Sequence, residues 1–300
     1  MSRENSLGIT AKIRYVRRIL YHRWHGQPRV CPYCGPSSAV KLVRRKKVIV
    51  EILQCQSCHL WFRWPGDTPH EHSDYYQKQF AVDTPQVILP SKEELSAYQA
   101  VNFAGSPLDI HNKARVLKTL RPGGRVLDYG CSWGYGTHQL QQFGFDAAGF
   151  EISKSRAEFA RTYLGLTAYD SLEDLQRLPE KSFDIIFSNH VVEHLPNLSA
   201  VFLTLTRLLK EDGFVFHVLP NFTGKMARSG YWLKWIGEDH PIAPAIPFFE
   251  IAIPRAGLTQ PVFGSSPFDD QMARALLGQP GAQLSTEGDE LLVFAHRAAS

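Results

Sequence analysis

The sequence predicts an α/β protein, a doubly wound parallel sheet with a small cysteine-based ribbon in front of it. Three observations carry this. From Ile110 onward, short apolar runs alternate with helical periodicity at the spacing of βαβ units. Arg125–Gly136, Arg-Val-Leu-Asp-Tyr-Gly-Cys-Ser-Trp-Gly-Tyr-Gly, reads as a strand end, a glycine loop and a helix start. Two Cys-x-x-Cys pairs stand near the N-terminus, with 20 residues between Cys34 and Cys55.

Composition sets the outer limits. Three hundred residues allow one large domain and a small one, and 44% hydrophobic with 21% charged residues is ordinary for a globular chain. No apolar run is long enough to span a bilayer, and the basic start is not followed by the apolar segment of a signal peptide. Four of the five cysteines sit in the two pairs, which points to metal in a reducing compartment, so a cytoplasmic location is expected. Charge is uneven. Residues 1–64 hold 13 Lys/Arg against Glu4 and Glu51, whereas the remaining 236 hold 20 Lys/Arg against 27 Asp/Glu. That asymmetry suits an anionic partner, RNA or a membrane surface, and suits mere solubility of a small module equally.

Residues 1–28 read as a basic amphipathic helix. Ile9, Ile13, Val16, Leu20 and Trp24 fall near one face, with Lys12, Arg14, Arg17, Arg18 and Arg23 around the others. The apolar face is expected to pack on the rest of the protein, with an anionic membrane surface or a nucleic-acid backbone as the alternative contact. Gly26 and Pro28 end the helix.

Residues 29–65 read as a zinc ribbon. Two residues between cysteines let one tight knuckle aim both sulfurs at a single tetrahedral ion, so Cys31, Cys34, Cys55 and Cys58 are the expected ligands of a structural zinc with no open position. Val40–Val43 and Val48–Leu53 read as its strands, with Arg44-Arg45-Lys46-Lys47 at the turn. Trp61–Pro69 reads as a linker. Residues 66–105 are polar with aromatics, among them Tyr75, Tyr76 and Phe80, and should hold helices that cover the site or pack on the core.

Residues 106–300 should form the main domain. A helix over Ile110–Leu120 is stopped by Pro122-Gly123. Strands follow at Arg125–Tyr129, Asp146–Ile152, Leu166–Tyr169, Phe183–Ser188 and Phe214–Leu219, with helices notably at Ser153–Tyr163 and Leu198–Lys210. Gln260–Phe263 and Leu291–His296, with a helix at Gln271–Leu277 between them, can close the sheet as an antiparallel hairpin.

The glycine order separates two ligand classes. It is G-x-x-x-G-x-G with an aspartate two residues before the first glycine, not the G-x-G-x-x-G that faces a pyrophosphate. A carboxylate at the strand tip suits a cationic ligand. Asp128-Tyr129-Gly130-Cys131-Ser132-Trp133-Gly134 resembles motif I of class I S-adenosylmethionine-dependent methyltransferases, with Ser132 where many of them have glycine. The resemblance spans roughly residues 105–300 and implies a seven-stranded Rossmann-like sheet. It also implies S-adenosylmethionine as cofactor and methyl transfer by in-line displacement, in which alignment does most of the work.

Ligands of such sheets sit at the carboxyl ends of the strands. Asp128, Gly130, Cys131 and Gly134 of the loop are therefore candidate cofactor contacts. Glu151 ends the second strand, where such enzymes keep an acid that accepts both ribose hydroxyls, and Ile152 follows against the adenine face. By the same resemblance Asp170 and Ser171 meet the adenine edge, or else cap a helix. After the fourth strand, Asn189-His190-Val191-Val192-Glu193-His194-Leu195-Pro196 resembles the segment that ubiquinone-pathway O-methyltransferases and their relatives carry there. Some of those hold a divalent cation, but His190 replaces a carboxylate of the metal-binding members. Asn189 is a candidate cofactor contact, and His190 and His240 are candidate bases for an acceptor that must lose a proton. Pro220-Asn221 and the aromatic stretch Tyr231–Pro247 are expected around the acceptor.

The implied function is methyl transfer to a small-molecule, sugar or natural-product acceptor. Two rivals stay open on sequence alone: an RNA methyltransferase gripping phosphate through the basic ribbon, and a non-catalytic cofactor-binding partner subunit. Some ribosomal-RNA guanine methyltransferases have an N-terminal zinc module, but with a cysteine–histidine second knuckle, which the C-x-x-C here departs from.

Overall fold

A computed structural model describes residues 3–46, 48–78, 84–224, 228–230, 232–237 and 240–299. Lys47, Phe80 and Tyr231, named above, lie outside these residues, as do the side chains of Ile9, Lys12 and Trp232.

The main sheet has seven strands. They are β4 (Arg125–Tyr129), β5 (Asp146–Phe150), β6 (Ala168–Tyr169), β7 (Phe183–Asn189), β8 (Leu209–Pro220), β10 (Val262–Ser265) and β11 (Glu290–His296), in the order β10-β11-β8-β7-β4-β5-β6. β6, β5, β4, β7 and β8 run parallel to one another, and β11 is antiparallel to both β8 and β10. The expected closing hairpin is therefore present. The chain turns back at β4, whose neighbours are β5 and β7, and this places the carboxyl ends of β4, β5 and β7 side by side.

Helices cover both faces: α4 (His111–Leu120), α5 (Tyr135–Gln142), α6 (Lys154–Leu164), α7 (Leu172–Arg177), α8 (Leu198–Leu208), α9 (Ile246–Arg255) and α10 (Asp270–Leu276). Central strands are buried on both faces, which is why Phe183–Phe187 reads as an apolar run broken only by Asp184. β8 starts at Leu209, earlier than expected, because Leu209 pairs with Phe183 across a register shift.

In front lies a four-stranded sheet, β1 (Val40–Lys46), β2 (Val50–Cys55), β3 (Trp61–Trp64) and β9 (Ile242–Ala243), all antiparallel. Two expectations fail here. Arg44, Arg45 and Lys46 belong to strand β1, and the turn falls at Val48 and Ile49. Trp61–Pro69 is not a linker, because its first four residues are strand β3. Phe62 and Trp64 are buried on it, and Arg63 is equally buried, donating to the Pro65 carbonyl at 2.6 Å and to Asp67. An arginine inside a short apolar stretch masks the strand in the sequence.

The ribbon does not fold apart from the main domain. β9 comes from the insertion after β8, and Cys31, Ile52, Cys55, Cys58 and Phe62 share one core with Ile186, Leu219 and Phe249. Tyr33 packs edge-on against Phe248 of α9 at 5.1 Å.

The N-terminal helix α1 (Arg3–Trp24) also departs from expectation. Its inward face carries Ile19, fully buried, with His22 and Arg18. His22 Nε2 meets Glu71 at 2.9 Å, and Arg18 pairs with Asp67 at 3.0 Å. The stripe Ile13, Val16, Leu20 and Trp24 points outward. Two further helices, α2 (Pro69–Lys78) and α3 (Lys92–Ala100), connect the ribbon to α4. α3 starts in a reciprocal cap: Ser91 Oγ accepts from Glu94 N, and Glu94 accepts from Ser91 N at 2.7 Å. Among the described residues no helix is long and apolar enough to cross a membrane.

Candidate functional site

A cleft of about 1500 Å³ opens over the carboxyl ends of β4, β5 and β7. Its floor is the glycine loop. Gly130 N and Cys131 N both donate to the Phe150 carbonyl, at 2.7 and 3.0 Å, so the loop folds back over β5. Gly130 has φ +85, and a Cβ there would lie 2.4 Å from Val191 Cγ2. Gly134, at φ +94, caps α5 where a Cβ would strike Leu166 and Ala160. Both positions need glycine for space and for backbone conformation.

Ser132, the departure from the usual motif, has φ +50. Its hydroxyl donates to the Gln86 carbonyl at 2.5 Å, and its N–H donates to Glu151 Oε2 at 3.1 Å. The serine thus ties the loop to the segment in front of it. Two further bonds hold that segment, from Trp133 Nε1 to the Pro85 carbonyl (2.9 Å) and from Arg156 Nε to the Val87 carbonyl (3.1 Å). Helix α2 covers the next strand tip: Gln77 Nε2 donates to the Ile152 carbonyl, and His72 Nε2 bonds the His194 carbonyl at 2.9 Å. Of the two tyrosines expected as a cover, Tyr76 lines the cleft and Tyr75 packs edge-on against it. Sequence reading missed Gln77 and Gln86, whose backbone partners carry no sequence signal.

Six of the nine candidate cofactor residues line this cleft: Gly130, Glu151, Ile152, Asp170, Ser171 and Asn189. Glu151 is 7% exposed and accepts from Ser132 N and Ser153 N. Burial pushes its carboxyl up, against the pull of Arg156 and those two N–H groups. Asn189 Oδ1 is buried and has no hydrogen-bond partner among the described residues. Asp170 accepts from Arg161 at 2.9 Å, and Ser171 caps α7 by accepting from Asp174 N at 3.1 Å.

The other three stand behind the wall. Asp128 is buried and accepts from Thr137 Oγ1 at 2.7 Å, and burial raises its pKa to about 7. Cys131 is buried against Gly149, and Gly134 is under α6 and its following turn. These residues shape the loop and set its field rather than touching the cleft.

Past the glycine-loop end the lining becomes a charged cluster. His190, at φ +56, meets Glu290 Oε1 at 2.8 Å and Glu193 at 3.5 Å, and Lys113 Nζ donates to the same Glu290 oxygen at 2.8 Å. Burial opposes a charge on His190, but the two carboxylates hold its pKa up at about 9. At neutral pH it is an imidazolium, a donor rather than a base. His190 stands just before a 3₁₀ turn, Val192–His194. Glu193 is fully buried, and His194 lies 3.9 Å from it. His240, in the insertion, stacks on Trp235 and lies 4.6 Å ring to ring from His194. Ligand atoms of Glu193, His194 and His240 lie within 4.8 Å of one another, close enough to share an ion.

The far end of the cleft is built by the ribbon. Cys31, Pro32, Tyr33 and Gly35 of the first knuckle face Asn197, Ala200, Val201 and Thr204 around α8. Asn221, expected here, is elsewhere: its amide donates to the Thr286 and Gly288 carbonyls at 2.8 and 2.7 Å, pinning the loop before β11. The four candidate metal ligands Cys31, Cys34, Cys55 and Cys58 bring their sulfurs within 4.8 Å of one another. Cys31 and Cys58 are 3.7 Å apart, and a tetrahedral zinc with Zn–S near 2.3 Å requires about 3.8 Å between sulfurs.

Residues 106–252 match a family described as a methyltransferase domain. A ubiquinone biosynthesis O-methyltransferase of Nitrosococcus oceani is 33% identical over 126 residues, 40% of this chain and 52% of that protein. A 2-methyl-6-phytyl-1,4-hydroquinone methyltransferase of Synechocystis sp. is 32% identical over 178 residues, 54% of this chain and 55% of its own. The chain thus spans about half the length of these relatives. Among solved structures, a SAM-dependent methyltransferase from Archaeoglobus fulgidus aligns at 16% identity and TM-score 0.49, over 69% of this chain and 100% of its own.

Proposed function

We propose that the chain is a class I S-adenosylmethionine-dependent methyltransferase, a reading supported by the match of residues 106–252 to a methyltransferase domain, and that it transfers a methyl group to a small-molecule acceptor held between the ribbon and the strand tips. One observation carries the reading. A single cleft joins a nucleoside-sized end, with Gly130, Glu151 and the unpaired Asn189 Oδ1, to a second end walled by different chain segments. Two substrates meeting head to head need that arrangement.

The residues present fit the cofactor. Glu151 has lone pairs left for the two ribose hydroxyls, Ile152 and Leu172 supply apolar surface for the base, and Asn189 Oδ1 can take an amino proton. Asp128, behind the loop, supplies negative field toward a cation without contact. S-adenosylmethionine, when bound, supplies a methyl already activated on a sulfonium. What the protein adds is alignment, exclusion of water by α2 and the segment around Gln86, and a place for any acceptor proton. His190 in its imidazolium form orients or neutralises an anionic acceptor group, and His240 is the candidate proton acceptor. The names of the two relatives point to ring hydroxyls or ring carbons of quinol-type molecules as the first acceptors to try. The four-cysteine cluster fits a structural zinc on its sulfur spacing.

Calorimetry with S-adenosylhomocysteine tests the cofactor half: micromolar binding by the full chain is expected, weakened at least tenfold by Glu151→Ala. Incubation with methyl-labelled cofactor and fractionated cell extract tests the acceptor half, with label expected in small molecules. No heat with the nucleoside, or label only in RNA, defeats the proposal.

A further inference from the structure

We propose that α1 and the adjoining β1–β2 hairpin dock on an anionic lipid bilayer. This stands independently of methyl transfer. Helix α1 is turned the opposite way from an ordinary surface helix. Ile19 and polar anchors face inward, while Ile13, Val16, Leu20 and Trp24, three or four residues apart, form an outward apolar stripe. Trp24 is 89% exposed. Exposed Arg14 and Arg17 lie beside and within the stripe.

The surface continues onto the hairpin. Arg23 Nη1 donates to the Ile49 carbonyl at the β1–β2 turn. At that turn Val48 is 82% exposed, and on edge strand β1 Leu42 and Val43 are exposed among Lys41, Arg44 and Arg45. Large apolar side chains in solvent, interleaved with guanidinium and ammonium groups, match the two layers of a bilayer interface: acyl boundary for the stripe, anionic headgroups for the cations. A nucleic-acid backbone would use the cations and gain nothing from Ile13, Leu20 or Val48. The inward anchors couple the docked helix to the cleft, because His22 and Arg18 hold Glu71 and Asp67 at the start of α2, and His72 and Tyr76 of α2 line the cleft.

The test is sedimentation of the full chain with vesicles of phosphatidylcholine, alone or with about a third phosphatidylglycerol. Binding at least tenfold stronger to the anionic vesicles is expected. Leu20→Glu with Trp24→Glu should abolish it. Arg14→Gln and Arg17→Gln should each weaken it by about fivefold, with the dependence fading in high salt. Unchanged circular dichroism and thermal melting would show that each variant is folded. Three results overturn the proposal: no binding to anionic vesicles at low salt, binding that survives the double glutamate variant, or a stripe-dependent dimer in sedimentation velocity that leaves vesicles unbound. Binding to homopolymeric RNA that needs the arginines but not Leu20 and Trp24, without vesicle binding, would assign the surface to nucleic acid instead.

Discussion

Asp128→Asn should raise stability and lower affinity for a cationic cofactor, with a pH signature for each. Asp128 is buried, with one side-chain donor, Thr137 Oγ1 at 2.7 Å, and burial lifts its pKa from 3.8 to about 7. The sign follows from linkage. Below pH 3.8 the carboxyl is protonated in both the folded and the unfolded chain and costs nothing. Between 3.8 and 7 the unfolded chain ionises first, so folding stability falls as pH rises, and above 7 the loss is complete. A shift of about 3 units at about 1.4 kcal/mol each amounts to ~4 kcal/mol. Asparagine keeps an oxygen for Thr137 but buries an amide N–H₂ in need of a partner, at a cost of about 1–2 kcal/mol at every pH. The variant should therefore be slightly less stable than the natural chain near pH 4 and about 2–3 kcal/mol more stable at pH 8.5, the two curves crossing between. Urea denaturation at pH 4, 6 and 8.5 measures this. Parallel curves, or a variant weaker at all three, would refute a buried ionising carboxylate. The functional half uses calorimetry. In the natural chain, S-adenosylmethionine should bind more tightly from pH 6 to 8 as Asp128 ionises toward the sulfonium. Uncharged S-adenosylhomocysteine at its sulfur should show less of this rise, and Asp128→Asn should show none of it.

Gly130→Ala forces a Cβ to within 2.4 Å of Val191 at φ +85 and should lower stability by about 2 kcal/mol or more, whereas Gly165→Ala, at φ +66 with nothing within 4 Å, should cost only about 1 kcal/mol; thermal melting compares them. One zinc per chain should be found by metal analysis. Cys58→Ser should lose it and melt well below the natural protein, because the fully buried Cys58 lies in the core shared with the main domain. Glu51→Gln should cost about 1–2 kcal/mol at pH 7, since Arg29 donates to it at 2.8 Å and Arg23 and Arg45 lie within 4 Å, yet those arginines keep much of their hydration. The Arg29 bond holds the Glu51 carboxyl below its ordinary value against burial, so the natural chain's advantage over the variant should be full above pH 4.5 and fade in more acid urea melts.

What the sequence made legible was whatever a periodic pattern or a fixed spacing encodes. Strand runs such as Phe183–Ser188, the loop at Gly130 and the four cysteines all belong to that kind, and the closing strands at Val262 and Glu290 follow from them. The helix Lys92–Ala100 carries a Ser-x-x-Glu cap at Ser91, but the polar composition around it hid the element. Three features were not readable, each for a physical reason. Strand β3 carries Arg63, which is buried with its two Nη groups donating to the Pro65 carbonyl and Asp67, and no hydropathy pattern reports a paired charge. The orientation of α1 depends on His22 and Arg18 finding Glu71 and Asp67, distant partners that outweigh the pull of an apolar stripe. The ribbon end of the cleft depends on β9 joining β3 across some 180 residues of chain, a pairing that only the folded protein creates.

That pairing bears on how the basic N-terminal region should be understood. A ribbon that grips RNA would present its cations freely and stand apart from the domain it serves. Here much of the charge is spent inward. Arg23, Arg29 and Arg45 converge on Glu51, Arg18 and Arg63 hold Asp67, and Lys46 Nζ donates to the Ile236 carbonyl at 2.8 Å. These bonds fasten α1, the ribbon sheet and the insertion carrying Ile236 into one body, whose first knuckle then becomes a wall of the cleft. Part of the excess of basic residues is thus a means of attachment, since arginines can bridge elements through a buried carboxylate while their own heads stay partly hydrated. The exposed remainder, Arg14, Arg17, Lys41 and Arg44, is set among exposed Ile13, Leu20, Trp24 and Val48. An anionic partner that rewards only charge would leave that apolar area in water, which is why a lipid surface, rather than a nucleic-acid backbone, is the partner proposed for this face.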